Sequence, residues 1–283
     1  MTQVNGHMNQ TVHTDEAWSS LYSRLEQEEL IPAQPVRRTL RPAFIGMAAA
    51  IALLCLCGAL GIWLLYDGAD RSLLTLQNGA EDNTLVTTLE DGSIVYLAQN
   101  ATLSYPEHFE TDQRLVKLDG NALFDVSGNK KRPFLIETKY TTIEVVGTAF
   151  NVKSTGKDNF ELSVQRGVVK VTLLQGGESS FVKAGETITL HRKELQKSLT
   201  KDVDQFARYT ERIHFKDESL ANIVRVINRT ASQPISLASA ELENRRLTVS
   251  FFDNSPASMT ELICLALGLK CEEKADTLVI SAP

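Results

Sequence analysis

Five histidines, His7, His13, His108, His191 and His214, are scattered along the chain. None stands in the H-E-x-x-H spacing that sets two imidazoles on one helix face over a zinc ion, and no Cys/His cluster has zinc spacing. No G-x-S-x-G nucleophile turn occurs, and no Gly-rich loop opens a helix to cradle a phosphate. The chain is therefore read as having no metal, no cofactor and no multi-turnover active site. Of four cysteines, Cys55 and Cys57 fall in an apolar run. Cys264 and Cys271 are either a disulfide, permitted in an oxidising compartment, or two small buried apolar residues. A net charge of −6 leaves no basic footprint for direct nucleic-acid binding.

The elements that position these residues are organised around Ala43–Tyr66, AFIGMAAAIALLCLCGALGIWLLY, which holds no charge and no Asn, Gln or Pro. As a helix it covers about 36 Å, enough for a hydrocarbon core of about 30 Å with some tilt. Ten of its residues are Leu, Ile or Phe, so insertion is favoured by a few kcal/mol. Trp63 and Tyr66 fall at one end, at headgroup depth. Arg37, Arg38 and Arg41 precede the span, which places residues 1–42 in the cytoplasm and residues 67–283 outside the membrane. A cleaved signal peptide is not expected: the run is too long, starts beyond residue 40 and ends without an A-x-A site. Gly46 and Ala50 make a small-xxx-small pair, a weak dimerisation signal.

Before the span, residues 1–13 are polar, and Thr14 or Asp15 can cap a helix. Trp18, Leu21, Tyr22 and Leu25 recur on it at i, i+3, i+4 and i+7, one apolar face. Pro32 and Pro35 end it. So short a tail cannot bury that face alone, which therefore wants either a protein groove or a membrane surface. Glu26, Glu28 and Glu29 favour the protein, because anionic lipid would repel them.

Beyond the span, residues 67–191 read as an all-β domain of short strands, a sandwich or roll, with turn signals every 8–12 residues. Asp91-Gly92 marks a hairpin between Leu85–Leu89 and Ile94–Leu97, and Asp119-Gly120-Asn121 repeats the pattern between Leu115–Leu118 and Ala122–Val126. Residues 192–212 are polar and read as a linker with a short helix. From 213 to 283 the order is β-α-β-β-α-β. Strands at Ile213–Phe215, Ile235–Leu237, Leu247–Phe252 and Leu278–Ile280 and helices capped by Asp217 and Ser258 suit a small α+β domain with both helices on one face.

Leu89-Glu-Asp-Gly-Ser-Ile-Val-Tyr-Leu97, Leu103-Ser-Tyr-Pro106, Arg114-Leu-Val-Lys-Leu-Asp-Gly120, Ala122-Leu-Phe-Asp-Val126, Arg132-Pro-Phe134, Val146-Gly-Thr-Ala-Phe-Asn-Val152 and Val164-Gln-Arg-Gly-Val-Val169 follow in order. The ordered set resembles the FecR family of transmembrane anti-sigma regulators. That resemblance implies a single-pass inner-membrane protein whose tail binds an extracytoplasmic-function sigma factor, here through Trp18, Leu21, Tyr22 and Leu25. Residues 213–283 resemble the C-terminal domain of Bacteroidetes-type members and the secretin/TonB short N-terminal domain. This implies that Ile213–Ile280 meets the signalling domain of a TonB-dependent outer-membrane transducer in the periplasm, and that the signal is an iron chelate or a glycan. Edge-strand pairing suits such a contact; the alternative is a stabilising or oligomerising module. The family's cytoplasmic part has several helices, whereas one helix precedes the span here; a short tail that orders on contact loses a few kcal/mol.

Some relatives of this family cleave themselves at a Gly-Thr bond, which singles out Gly147-Thr148. The chemistry is an N→O acyl shift, the Thr148 hydroxyl attacking the unhindered Gly147 carbonyl, followed by hydrolysis of the ester. The alternative is a strand glycine at a bulge or close backbone approach. With no bistable element evident in a single helix, release of a sigma factor by proteolysis in the membrane stands beside a conformational signal. A membrane-anchored envelope binding protein without a sigma-factor role is the competing function. Exposed aromatics on one β face would support it, but Phe109, Phe124, Phe134 and Phe150 read as core.

Overall fold

A computed structural model describes residues 14–28, 53–58, 73–79, 83–155, 159–252 and 255–283. The chain divides into two units, residues 1–70 and 71–283. In the first, α1 (Thr14–Gln27) carries Asp15 and Glu16 in its first turn and Arg24 in its last, charges that oppose the helix dipole. The expected span Ala43–Tyr66 lies outside the described residues except for 53–58, which are helical. No helix of the described residues is long and apolar enough to cross a membrane.

The second unit is β-rich. Its strands are β1 (Leu73–Gln77), β2 (Thr84–Thr88), β3 (Ile94–Leu97), β4 (Thr102–Pro106), β5 (Arg114–Asp125) and β6 (Phe134–Glu137). There follow β7 (Thr141–Val145), β8 (Ala149–Ser154), β9 (Phe160–Arg166), β10 (Val168–Leu173), β11 (Ser179–Lys183), β12 (Glu186–His191) and β13 (Glu194–Leu199). The last part holds β14 (Ile213–Ser219), β15 (Ile235–Leu237), β16 (Arg246–Phe251), β17 (Lys270–Lys274) and β18 (Thr277–Ser281). Its helices are α2 (Arg208–Glu211), α3 (Leu220–Ile227) and α4 (Pro256–Leu267).

The second expected hairpin does not form. Leu115–Leu118 and Ala122–Asp125 belong to one continuous strand, β5, with Gly120 inside it at φ 108° and Val126 just past its end. A Cβ on Gly120 would lie 2.7 Å from the Ala101 Cα, so this glycine serves close backbone approach and not a turn. There β5 changes partners. Its first half pairs with β4 and β6, and its second half with β3 and β8.

β2, β3 and β5 are covered on both sides. Leu85, Val95, Leu97, Ala122 and Phe124 point into one core, where Phe124 stacks on Phe150 at 5.5 Å. Val86, Ile94, Tyr96 and Leu123 point into a second core built with the C-terminal residues. Phe109 and Phe134 are also buried in the first core, so none of the four expected core phenylalanines is exposed.

The C-terminal module is fastened to this sheet. β14 runs parallel to β2, with Ile213 opposite Thr84 and Phe215 opposite Val86, and β16 pairs with the other edge of β14. The stretch expected as a linker holds β13, a turn at Val203–Gln205 and α2. It is tied down by Phe206, buried in the second core, and by Asn151, which donates to Gln205 Oε1 and accepts from the Tyr209 hydroxyl, each at 2.9 Å. The module's strands divide between two sheets, where one had been expected. β14 and β16 extend the large sheet, while β15, β18 and an unforeseen β17 form a three-stranded sheet. α3 packs on both β14 and β15 and α4 on β17 and β18; α3, α4, β14, β15 and β18 share the second core, while β17 is exposed.

Both helix starts also differ from expectation. Ser219, not Asp217, caps α3, because Asp217 sits in a bulge of β14 at φ 47°, bound by Arg246. That guanidinium, donating to its carboxylate, holds Asp217 below the usual carboxylate range. Ser255 caps α4 three residues ahead of Ser258, with Pro256 in the first turn.

Gly120→Ala and Gly176→Ala separate close approach from backbone preference. Gly176 has φ 94° but open space around it, so its substitution costs about 1 kcal/mol. Gly120→Ala adds a backbone clash and is expected to cost about 2 kcal/mol more, which thermal unfolding reads as a Tm about 4–8 °C lower than that of Gly176→Ala.

Candidate functional site

α1 presents the expected apolar face. Within its unit Trp18, Leu21 and Tyr22 are 60%, 47% and 63% exposed, and Leu25 is half-buried. An exposed stripe at this spacing is what a hydrophobic groove takes up.

Gly147 and Thr148 form the bend between β7 and β8, just past the end of β7 at Val145. Two glycines, Gly147 and Gly167, bring three backbone segments together there. A Cβ on Gly147 would lie 2.7 Å from the Gly128 Cα. A Cβ on Gly167, whose φ is 91°, would lie 2.6 Å from the Thr148 Cγ2 and 3.2 Å from the Gly147 carbonyl oxygen. Thr148 is 2% exposed, its carbonyl accepts from Val126 N–H at 2.9 Å, and its Oγ1 has no hydrogen-bond partner. A buried hydroxyl is ordinarily satisfied. This one borders an unhindered carbonyl, so its lone pairs are uncommitted at the place where an acyl shift would use them. The bend opens on a groove lined by Val146, Val168, Phe181, Glu144 and Lys170, with Glu144 and Lys170 paired at 3.2 Å.

The loops carrying Gly128 and Gly147 hang on Arg114, a residue that motif reasoning did not single out. Its guanidinium is buried, ion-paired with Asp91, and 5.3 Å over the Phe134 ring. It donates to the Arg132 and Ser127 carbonyls at 2.9 Å each and to Val146 at 3.4 Å. Asp91 also accepts from the Ser93 N–H and hydroxyl, and Ser93 Oγ accepts from Ser127 N–H at 3.0 Å. Asp91, read from the sequence as a turn former, is thus the counter-ion of a buried arginine. The available signal was an arginine at the head of a strand otherwise alternating into a core.

On the face turned to the C-terminal module, Asp125 pairs with Arg166 and Arg229. Burial, and then the Asp125 charge, push the Tyr96 hydroxyl above its ordinary range; burial does the same to Tyr209. Cys264 on α4 and Cys271 on β17 are joined by a disulfide. Among the described residues no three His, Cys, Asp or Glu side chains are grouped to hold a metal ion.

Asp91→Asn keeps the shape and removes the charge, leaving a buried guanidinium uncompensated. It is expected to cost about 3 kcal/mol. Glu137→Gln, which breaks the exposed pair with Lys117, is expected to cost less than about 1 kcal/mol. Urea unfolding of both variants checks the contrast.

Residues 78–170 match the family model described as FecR protein. Two crystal structures of a candidate anti-sigma factor from Parabacteroides distasonis are each 22% identical to this chain, with TM-scores of 0.45. The matches cover 75% of this chain and 99% and 100% of those chains. No curated protein matches. The matched stretch contains the hairpin with Asp91, the bent strand β5, Arg114 and the Gly147-Thr148 bend. Residues 78–170 of this chain are a FecR domain.

Proposed function

We propose that this chain is a single-pass inner-membrane anti-sigma factor. Its tail binds an extracytoplasmic-function sigma factor through Trp18, Leu21, Tyr22 and Leu25. Its C-terminal module, within Ile213–Ile280, meets the signalling domain of a TonB-dependent outer-membrane transducer. The observation that carries the reading is the exposed apolar face of α1 in a chain that also bears a FecR domain. Membrane lipid surrounds Ala43–Tyr66, the N-terminus is cytoplasmic, and residues 67–283 are periplasmic. The Cys264–Cys271 disulfide supports that orientation, since such a bond persists in an oxidising compartment. Capture from the native host with the full tagged chain is expected to retain a sigma factor, and Trp18→Ala with Leu21→Ala to lose at least 90% of it. Capture without a sigma factor, or unchanged by the double substitution, leaves the envelope-anchor function.

The chain also cuts itself once at Gly147-Thr148. Thr148 Oγ adds to the Gly147 carbonyl carbon, the C–N bond breaks, and the Thr148 nitrogen leaves with the electron pair and takes up the hydroxyl proton. Water then hydrolyses the ester, giving the Gly147 carboxylate and restoring the Thr148 hydroxyl. The unpartnered Thr148 Oγ1 supports this reading. Intact mass of the natively expressed protein is expected to show fragments 1–147 and 148–283. They should vanish in Thr148→Ala and persist in Thr148→Ser. Uncut wild type would refute self-cleavage.

A further inference from the structure

Asp125, Ala149 and Arg166 stand opposite one another on β5, β8 and β9. Across Ala149, whose side chain is a single methyl, Arg166 reaches the Asp125 Oδ1 at 2.8 Å. The other Asp125 oxygen holds Arg229 Nε at 3.3 Å, and Arg229 lies just after α3, in the C-terminal module. One carboxylate, its side chain 16% exposed, is therefore gripped by the FecR domain and by the C-terminal module at once.

The residues just past β5 and β9 both meet the Gly147-Thr148 dipeptide. Val126, after Asp125, donates its N–H to the Thr148 carbonyl at 2.9 Å. Gly167, after Arg166, packs against the Thr148 methyl and the Gly147 carbonyl oxygen. Ala149, beneath the bridge, directly follows Thr148. The Asp125–Arg166 pair thus fastens together the two segments that hold Thr148 from either side, and Arg229 ties that pair to the C-terminal module.

The geometry points to Asp125 and Arg229 as positioning residues through which the C-terminal module sets the rate of scission at Gly147-Thr148. The inference rests on the self-cleavage reading above and adds its control. An intramolecular attack needs the oxygen about 3 Å from the carbonyl carbon and in line, and a misplacement of about 1 Å costs on the order of a hundredfold in rate. A module drawn away from the β domain takes Arg229 with it. Asp125 then has Arg166 alone: its carboxylate loses the second hold that fixes it, and the Val126 and Gly167 segments, still joined through Asp125 and Arg166, can shift by fractions of an ångström. Because Arg229 is largely solvated, its pair does little for global stability, so rate and stability separate.

The test follows fragment appearance by pulse–chase in the full-length chain, C-terminally tagged, with Tm measured on each uncut Thr148→Ala counterpart. Arg229→Gln is expected to cut about tenfold more slowly with Tm changed by less than about 2 °C. Arg229→Lys is expected to restore most of the rate. Arg229→Gln added to Asp125→Asn should slow cutting no further than Asp125→Asn alone, because both act through one contact. Arg229→Gln cutting at the wild-type rate overturns the coupling while self-cleavage stands. Additive effects, or slowing that tracks a lowered Tm, overturn it likewise. A wild-type chain that never cuts removes self-cleavage and this control together.

Discussion

The strand Ile94–Leu97 has no side chain in water, and the second unit is built on that constraint. Val95 and Leu97 enter the FecR core, while Ile94 and Tyr96 enter the core shared with the C-terminal module. A strand buried on both faces must be covered twice, and here the second cover is α3 and α4 with β14 laid parallel beside β2. Parallel neighbours require a crossover between them. In this chain the crossover from β2 to β14 is almost the whole FecR domain, so the two parts form one compact unit. Removing the module would expose Val86, Ile94, Tyr96 and Leu123, each worth about 1.5–3 kcal/mol in water.

Beside the hairpin that leads into this strand, close packing is imposed by a charge. Arg114 cannot be buried unless its donors are filled, and the acceptors it finds are carbonyls of loops that would otherwise diverge. With those loops gathered, Gly147 and Gly167 let the backbones touch. The Thr148 hydroxyl is then enclosed where no acceptor or donor reaches it. An unsatisfied buried hydroxyl costs about 1–3 kcal/mol, tolerable only because the surrounding packing fixes its position.

Much of the β domain was legible because its signals are local. Asp91-Gly92 with alternating neighbours specifies a hairpin, and period-2 apolar runs specify strands whatever they pair with. Gly120 misled because a glycine between two apolar runs looks alike in a turn and in a strand pressed against another backbone; only the position of Ala101 decides, and it is nineteen residues away. The linker assignment missed for a similar reason. Val203–Glu211 is polar along the chain, yet its Phe206, Gln205 and Tyr209 find partners on β8 and in the second core. The apolar face of α1 could be named from spacing, whereas the compartment only permitted the Cys264–Cys271 bond and left two buried apolar residues as the alternative. Arg114 and the Asp125 pairs could not be named, since each joins segments far apart in sequence.

The placement of Gly147-Thr148 within this topology decides what a break there can do. Among the described residues three strand pairings cross it: β5 with β8, β7 with β10, and β2 with β14. β8, the first strand after the bond, lies between β5 from one side of the break and β9 from the other. Both cores also draw on both sides. A cut chain therefore stays assembled through main-chain hydrogen bonds and buried surface, with no covalent link between the residues ahead of Thr148 and the C-terminal module. Such an assembly resists thermal motion but yields to a directed pull. In an intact chain, the backbone still joins the module to the residues ahead of Gly147 after β14 has parted from β2. In a cut chain a pull that parts β14 from β2, β10 from β7 and β8 from β5 leaves nothing joining the two pieces. The glycine bend thus stands where one hydrolysed bond converts a continuous sheet into a separable one.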